Sequence, residues 1–172
     1  MPICYLDRDG VFNHHLPYVG TLDRFIWHTE IIDILKILKG FNYKFILVTN
    51  QSGIGRGYYS IDEFHCINKV IKKTLSSNDL SIEIRFCPHT PNEKCKCRKP
   101  STGMIDLDLR TNKDIFIGDQ PSDMLCAFKG GVKHRWLINK NNCKNTTRWA
   151  KNHKEFIFEI KNWYLSDVEW LQ

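Results

Sequence analysis

Residues 3–13 read ICYLDRDGVFN, and this stretch governs how the rest of the chain is interpreted. Ile3 to Leu6 form a short apolar run that predicts a buried strand, and Asp7 and Asp9 follow it directly. Two carboxylates this close repel each other unless a cation lies between them, and Mg²⁺ prefers oxygen ligands of this kind. Taken alone, the stretch predicts either a magnesium-dependent reaction centre or a polar strand end followed by a turn.

The rest of the chain alternates apolar runs with amphipathic helical patterns. Helical spacing predicts helices at 31–40, 61–75 and 122–129, the second opened by an S-x-x-E capping box, and further strands are predicted at 44–49, 82–86, 115–117 and 135–138. This alternation predicts an α/β fold, with a Rossmann-like parallel sheet flanked by helices and no large cap domain. Residues 156–160 alternate like a strand, and we interpret the tail as the closing element of a single domain, residues 1–172.

Length and composition favour a compact soluble protein. The chain has 172 residues, 42% of them hydrophobic and 26% charged, which is enough for one core and argues against disorder. No apolar run reaches the ~18 residues of a membrane span, and no signal peptide is apparent. We therefore expect a cytoplasmic protein with reduced thiols. The net charge of +6 suits anionic ligands but is equally compatible with an ordinary basic surface.

Polar residues collect at the predicted ends of the strands. In an open parallel sheet, ligands bind beyond the carboxyl ends of the strands, so these residues should converge although they are distant in sequence. Four carboxylates, a hydroxyl–amide pair and a lysine are the equipment for phosphoryl transfer through an aspartyl-phosphate. The residues at these positions are Asp7, Asp9, Thr49, Asn50, Arg98, Lys99, Asp119 and Asp123.

Residues 87–100 read CPHTPNEKCKCRKP and carry a second cluster. A disulfide is disfavoured in a reducing compartment, and a reactive thiol cluster has no need of a histidine at this spacing. The pattern C-x-H-x₅-C-x-C fits a closed structural zinc site, with Cys87, His89, Cys95 and Cys97 as ligands. Because Lys99 follows the last ligand so closely, we expect this short zinc-binding loop to fix the lysine in place.

Four segments resemble, in order, the four motifs of the haloacid dehalogenase-like phosphatases: Asp7 to Gly10, Thr49, Lys99, and Gly118 to Asp123. Within that group the chain most resembles the D-glycero-D-manno-heptose 1,7-bisphosphate 7-phosphatases, through the stretches DRDGVFN, PYVGTLDRF, TNQSGIGRG and C-P-H…C-x-C-R-K-P. The resemblance implies removal of the 7-phosphate through an aspartyl-phosphate, in the synthesis of nucleotide-activated heptose for lipopolysaccharide, capsule or S-layer. Asp7 would be the nucleophile, and Asp9 the general acid and then the general base. Mg²⁺ would be held by Asp7, the backbone carbonyl of Asp9, and Asp119. Phosphate or sugar would contact Thr49, Asn50, Ser52, Arg98 and Lys99.

Two other activities stay open. The short Cys/His loop resembles that of histidinol-phosphate phosphatases, and TNQSGIGRG also resembles the 3′-phosphatase domains of polynucleotide kinase phosphatases, which lack the loop. Position 120 is Gln, where relatives often carry a cation. We expect a monomer that acts on a small sugar phosphate, with no nucleic acid or membrane partner.

Overall fold

A computed structural model describes residues 1–108 and 111–168 of the chain; residues 109–110 and 169–172 lie outside this part. Six strands form one sheet in the order β3-β2-β1-β4-β5-β6, and every neighbouring pair is parallel. The strands are β1 (Ile3–Leu6), β2 (Lys44–Asn50), β3 (Glu83–Cys87), β4 (Ile115–Gly118), β5 (His134–Ile138) and β6 (Arg148–Ala150). The helices are α1 (Ile31–Gly40), α2 (Ser52–Gly55), α3 (Ile61–Ser76), α4 (Pro121–Lys129) and α5 (His153–Val168).

The sheet is buried on both faces. Successive side chains of a strand point to opposite sides, so alternate residues of one strand pack into different cores. Cys4 and Leu6 of β1 pack into a core shared with α1, α3 and α5. Ile3 and Tyr5, the alternate residues, pack into a second core shared with α4. Helices therefore cover both faces, which explains why the strands read as continuous apolar runs and confirms the predicted fold class.

Two parts of the chain differ from the prediction. The strand-like interpretation of residues 156–160 is wrong, because this segment lies inside α5. Phe156, Ile160 and Trp163 are buried at helical spacing. The strand-like alternation of apolar residues at 156–160 is therefore a coincidence of the sequence. The short parallel strand β6 closes the sheet before α5, and α2 forms a single turn where the sequence indicates a loop. The assignment of residues 1–172 to one domain stays a prediction.

The strand order sets where the site lies. β1 pairs with β2 on one side and with β4 on the other, so the direction of winding reverses between β1 and β4. This switch point is where doubly wound sheets bind their ligands. Between β1 and α1 the chain forms only a short 3₁₀ helix (Leu22–Arg24), so a loop borders the site there. In the described part of the chain, no helix combines the length and apolar character that a membrane span requires.

Candidate active site

Three buried carboxylates meet at the switch point. Asp7 directly follows β1, Asp119 directly follows β4, and Asp123 lies in the first turn of α4. Each is less than a tenth exposed, and one oxygen from each lies within 4.8 Å of the others. Burial raises the pKa of Asp7 to about 7, helped by the charges of Asp123 and Asp9 and opposed by Lys99. Burial likewise raises the pKa of Asp119 and of Asp123.

The donor set of this cluster fits a hard divalent cation. Like charges in a dry site call for a counter-ion, and carboxylate oxygens are the ligands that Mg²⁺ takes. Asp119 Oδ1 is buried and accepts no hydrogen bond within the described residues, so its lone pairs remain available. The residues present at the end of β1 and β4 therefore fit the magnesium site that the sequence predicts.

Lys99 is the cation that the chain itself supplies. Its Nζ lies 2.7 Å from Asp7 Oδ1 and 2.8 Å from Asp123 Oδ1, and it donates to the carbonyl of Val48 at 2.8 Å. Burial opposes the charged form, but the carboxylates of Asp123 and Asp7 outweigh it and raise the pKa of Lys99. The lysine therefore stays protonated beside the first aspartate.

Asp123 also has a structural function at the start of α4. Its Oδ2 accepts the backbone N–H groups of Asp119 at 3.2 Å and Gln120 at 3.0 Å, which caps the helix. Because its Oδ1 pairs with Lys99, one carboxylate connects the end of β4 to the lysine loop. Asp123 therefore both caps α4 and pairs with Lys99.

Asp9 projects toward the cavity and is held by three donors. Asn13 Nδ2 donates to Oδ1 at 2.9 Å, and Gln51 Nε2 donates to Oδ2 at 2.9 Å. The buried guanidinium of Arg8 lies 3.0 Å from Oδ1 and 3.1 Å from Oδ2 through one nitrogen. Sequence reasoning missed all three partners, because no spacing pattern shows that Arg8, Asn13 and Gln51 direct their side chains to Asp9.

Gln51 links Asp9 to the end of β2. Its Nε2 also donates to Thr49 Oγ1 at 2.8 Å, and its Oε1 accepts the hydroxyl of Tyr59 at 2.6 Å. Gln51 and its two other partners, Thr49 and Tyr59, are buried. The side-chain nitrogen of Gln51 thus connects Asp9, which follows β1, to Thr49 in β2.

Asn50 contacts the lysine segment through both atoms of its amide. Its Nδ2 donates to the carbonyl of Lys99 at 3.1 Å, and its Oδ1 accepts the Lys99 N–H at 2.9 Å. The sequence predicts Asn50 as a phosphate or sugar ligand. In the structure its amide contacts the Lys99 backbone and the residue also lines the cavity, so it helps to position the lysine, while its assignment as a ligand stays a prediction.

A cavity of about 310 Å³ opens above these groups, at the lower end of the range for small-molecule sites. His15, Tyr18 and Gln120 add to its walls, whereas Thr49 and Asp119 are buried, each next in the chain to a residue that lines the cavity. The predicted site residues that line it are Asp7, Asp9, Asn50, Ser52, Arg98 and Lys99.

The Cys/His loop closes into a second cluster. Cys87 Sγ lies 3.0 Å from Cys97 Sγ and 3.4 Å from Cys95 Sγ, and His89 Nδ1 lies 3.2 Å from Cys97 Sγ. These distances exceed the ~2.05 Å of a disulfide, and all the thiols are free. Cys87, His89, Cys95 and Cys97 each offer one potential ligand atom, and these atoms all lie within 4.8 Å of one another, close enough to hold one metal ion next to Lys99 in the chain.

Comparisons with known proteins agree on one class of enzyme. Residues 15–159 match the family model described as polynucleotide kinase 3 phosphatase. A D-glycero-β-D-manno-heptose-1,7-bisphosphate 7-phosphatase from Helicobacter pylori is 36% identical over 166 residues, which is 91% of this chain and 95% of the relative. The D-glycero-α-D-manno-heptose-1,7-bisphosphate 7-phosphatase from Campylobacter jejuni is 35% identical over 160 residues, covering 89% and 92% of the two chains.

A solved structure gives the same result at the level of the fold. The crystal structure of D,D-heptose 1,7-bisphosphate phosphatase from B. bronchiseptica, complexed with magnesium and phosphate, superposes with a TM-score of 0.81 at 25% identity. The superposition covers 94% of this chain and 99% of that one. The resemblance therefore extends over nearly the whole length of both proteins.

Proposed function

This chain belongs to the family of D-glycero-D-manno-heptose 1,7-bisphosphate 7-phosphatases, and from that premise we propose that it hydrolyses the 7-phosphate of this sugar bisphosphate. It is a phosphomonoester hydrolase of the haloacid dehalogenase-like type. One observation carries the mechanism: a buried carboxylate, Asp7, faces both the cavity and the ammonium of Lys99. This arrangement suits attack on an anionic phosphoryl group.

In the first step, a carboxylate oxygen of Asp7 attacks phosphorus, and the bond between phosphorus and the sugar oxygen on C7 breaks. Asp9 gives its proton to that oxygen as it leaves. Help of this kind is typically worth ~10²–10⁴ in rate. Lys99 offsets the negative charge that gathers around Asp7 and the phosphoryl group.

In the second step, Asp9 takes a proton from water, and the water oxygen attacks the phosphorus of the aspartyl-phosphate. The bond to Asp7 breaks, inorganic phosphate leaves, and the Asp7 carboxylate is restored. The donors on Asp9 from Arg8, Asn13 and Gln51 orient it toward the cavity for both proton transfers.

Two metal ions complete the proposal. Asp7, Asp119 and the backbone carbonyl of Asp9 would hold Mg²⁺, which would neutralise charge on the transferring phosphoryl group. Cys87, His89, Cys95 and Cys97 would hold Zn²⁺, which would fix the loop before Lys99. Asn50, Ser52 and Arg98 would contact phosphate or sugar from the cavity wall, and Thr49 would hold the transferring phosphate together with Lys99.

The setting follows from the same chemistry. We expect a monomer. We also expect it to act in the cytoplasm, because the three cysteines of the Cys/His cluster must stay reduced to bind zinc. The product, a heptose 1-phosphate, would supply the synthesis of nucleotide-activated heptose for lipopolysaccharide, capsule or S-layer. Relatives that act on the α and on the β anomer match at nearly equal identity, so both anomers belong in any test.

A substrate panel tests the proposal against its rivals. We expect kcat/KM for one heptose bisphosphate anomer to exceed that for histidinol phosphate and for a 3′-phosphorylated oligonucleotide by roughly a hundredfold or more. The family model described as polynucleotide kinase 3 phosphatase makes the oligonucleotide a necessary comparison. A preference for it, with binding that weakens steeply as salt rises, would instead identify a DNA-end phosphatase.

A further inference from the structure

The two oxygens of Asp119 have different surroundings. Oδ2 accepts Gln120 Nε2 at 2.7 Å and lies 3.0 Å from His15 Nδ1. Because a carboxylate oxygen accepts, Nδ1 carries the hydrogen in this contact. Oδ1 is buried and has no hydrogen-bond partner among the described residues. One oxygen of the pair is thus satisfied by the chain and the other is not.

The backbone also restricts this carboxylate. A Cβ added at Gly10 would lie 2.2 Å from Asp119 Oδ2, so the loop after β1 packs directly against that oxygen. With two donors on Oδ2 and Gly10 beside it, the carboxylate has little freedom to exchange its oxygens. One Asp119 oxygen lies within 4.8 Å of oxygens of Asp7 and Asp123, and Oδ1 is the Asp119 oxygen that no hydrogen bond among the described residues occupies.

We propose that His15 is a positioning residue for this cluster: by holding Asp119 Oδ2, it keeps Oδ1 free to bind the divalent cation. The inference rests on the proposed function, because the cation is the one that the hydrolysis needs. His15 comes from the loop between β1 and α1, and its side chain is 54% exposed. The core does not depend on it, so its removal should leave the fold intact.

The effect should be on affinity for the cation. Replacing a residue that orients a metal ligand typically weakens binding or activity by about 10–100-fold. Because Gln120 still holds Oδ2, we expect His15→Ala to weaken binding by roughly tenfold, at the lower end of that range. Saturating cation should restore most of the lost kcat, since the proposed effect of His15 passes through Asp119.

The test is a titration of the zinc-loaded protein with Mn²⁺, followed by electron paramagnetic resonance. Zinc occupies the Cys/His cluster, so added Mn²⁺ reports on the carboxylates. His15→Asn serves as the conservative variant, because its amide nitrogen can replace Nδ1, and it should bind Mn²⁺ almost as the wild type does. His14→Ala is the matched control: it alters the neighbouring histidine of the same loop, which stacks on His28 at 4.3 Å.

The outcomes separate this inference from the proposed function. Weaker Mn²⁺ binding in His15→Ala, with near-normal binding in His15→Asn and His14→Ala, supports it. Equal binding in His15→Ala and wild type overturns it, as does an equal loss in His14→Ala, which would indicate a general shift of the loop. A wild-type protein that binds no Mn²⁺ overturns the proposed cation site itself, whatever the variants do.

Discussion

At the scale of single residues, Tyr59 has an influence beyond its own contacts. Its hydroxyl donates to Gln51 Oε1, which turns the amide nitrogen of Gln51 toward both Asp9 and Thr49. The ring lies against the backbone of Gly53, where an added Cβ would come within 2.0 Å of it. A glycine there is therefore needed to seat this tyrosine.

Tyr59→Phe should consequently slow the reaction more than it destabilises the fold. The amide of Gln51 loses the bond that fixes its orientation, so Asp9 and Thr49 are held less well. We expect kcat to fall about tenfold. The free energy of unfolding should fall by about 1 kcal/mol, the usual value for one hydrogen bond. Steady-state kinetics and urea denaturation measure the two quantities.

Tyr43→Phe is the matched control for this variant. Tyr43 is also buried, and its hydroxyl donates to the carbonyl of Lys113 at 2.7 Å, away from the site. It should lose a similar amount of stability without loss of kcat. Equal kcat values for Tyr59→Phe and the wild type would contradict the orienting function of Tyr59.

At the scale of elements, the Cys/His loop and β2 hold Lys99 from two sides. Cys97 precedes the lysine by two residues, while Asn50 at the end of β2 brackets its backbone. The side chain is then directed by the carbonyl of Val48. The lysine is therefore positioned by the backbone around it as well as by its ion pairs.

Cys97→Ser should lower zinc content and activity together. Serine oxygen is a poor zinc ligand, so the loop should loosen and Lys99 should lose its fixed approach to Asp7. We expect less than one zinc per chain by elemental analysis and a fall in kcat of roughly tenfold or more. Cys143→Ser, which lies outside the cluster, controls for the loss of a thiol. Zinc loss with unchanged kcat would contradict the prediction that the Cys/His loop positions Lys99.

A stack of three histidines joins the loop after β1 to α5. The centroid of the His28 ring lies 3.9 Å from the centroid of the His153 ring and 4.3 Å from that of the His14 ring. His153 Nε2 contacts the carbonyl of Val11 at 2.8 Å. Burial lowers the pKa of His28 to about 4. The imidazoles of His153 and His14 also lower it, while the carboxylate of Glu30 acts to raise it.

This stack should make the protein sensitive to acid. The pKa of His28 is lower in the folded chain than the ~6.5 of an unfolded one, so the folded state binds fewer protons between these values. Its contribution to stability is present above about pH 6.5 and is lost as the pH falls toward about 4. Burial lowers the pKa of His153 too, which adds a loss of the same sign.

Comparing His28→Asn with the wild type isolates this contribution. Asparagine does not titrate, so on going from about pH 7.5 to about pH 5 the variant should gain about 1 kcal/mol relative to the wild type, after allowance for solvent screening. Urea denaturation at the two pH values measures the difference. His65→Asn, an exposed change on α3, is the control. A difference between His28→Asn and wild type that is independent of pH would contradict this assignment.

At the scale of the whole molecule, the polar residues that follow the predicted strands are what made the candidate site predictable from the sequence. Asp7 and Asp119 were predictable as neighbours because parallel strands bring their carboxyl ends to one edge of the sheet. The contact of the Asn50 amide with the Lys99 backbone was not predictable, because it joins two segments that are 49 residues apart in the chain. Arg8 and His15 reach the site only through loop geometry, which leaves no periodic signal in the sequence.

The central claim is that Asp7 drives removal of the phosphate on C7. The most direct measurement is ³¹P nuclear magnetic resonance of D-glycero-D-manno-heptose 1,7-bisphosphate, in both anomers, incubated with magnesium and either wild type or Asp7→Asn. We predict that the wild type converts the C7 phosphate resonance to inorganic phosphate and leaves the C1 resonance, while folded Asp7→Asn changes neither. Loss of the C1 phosphate, no reaction with either anomer, or turnover by Asp7→Asn would contradict the account.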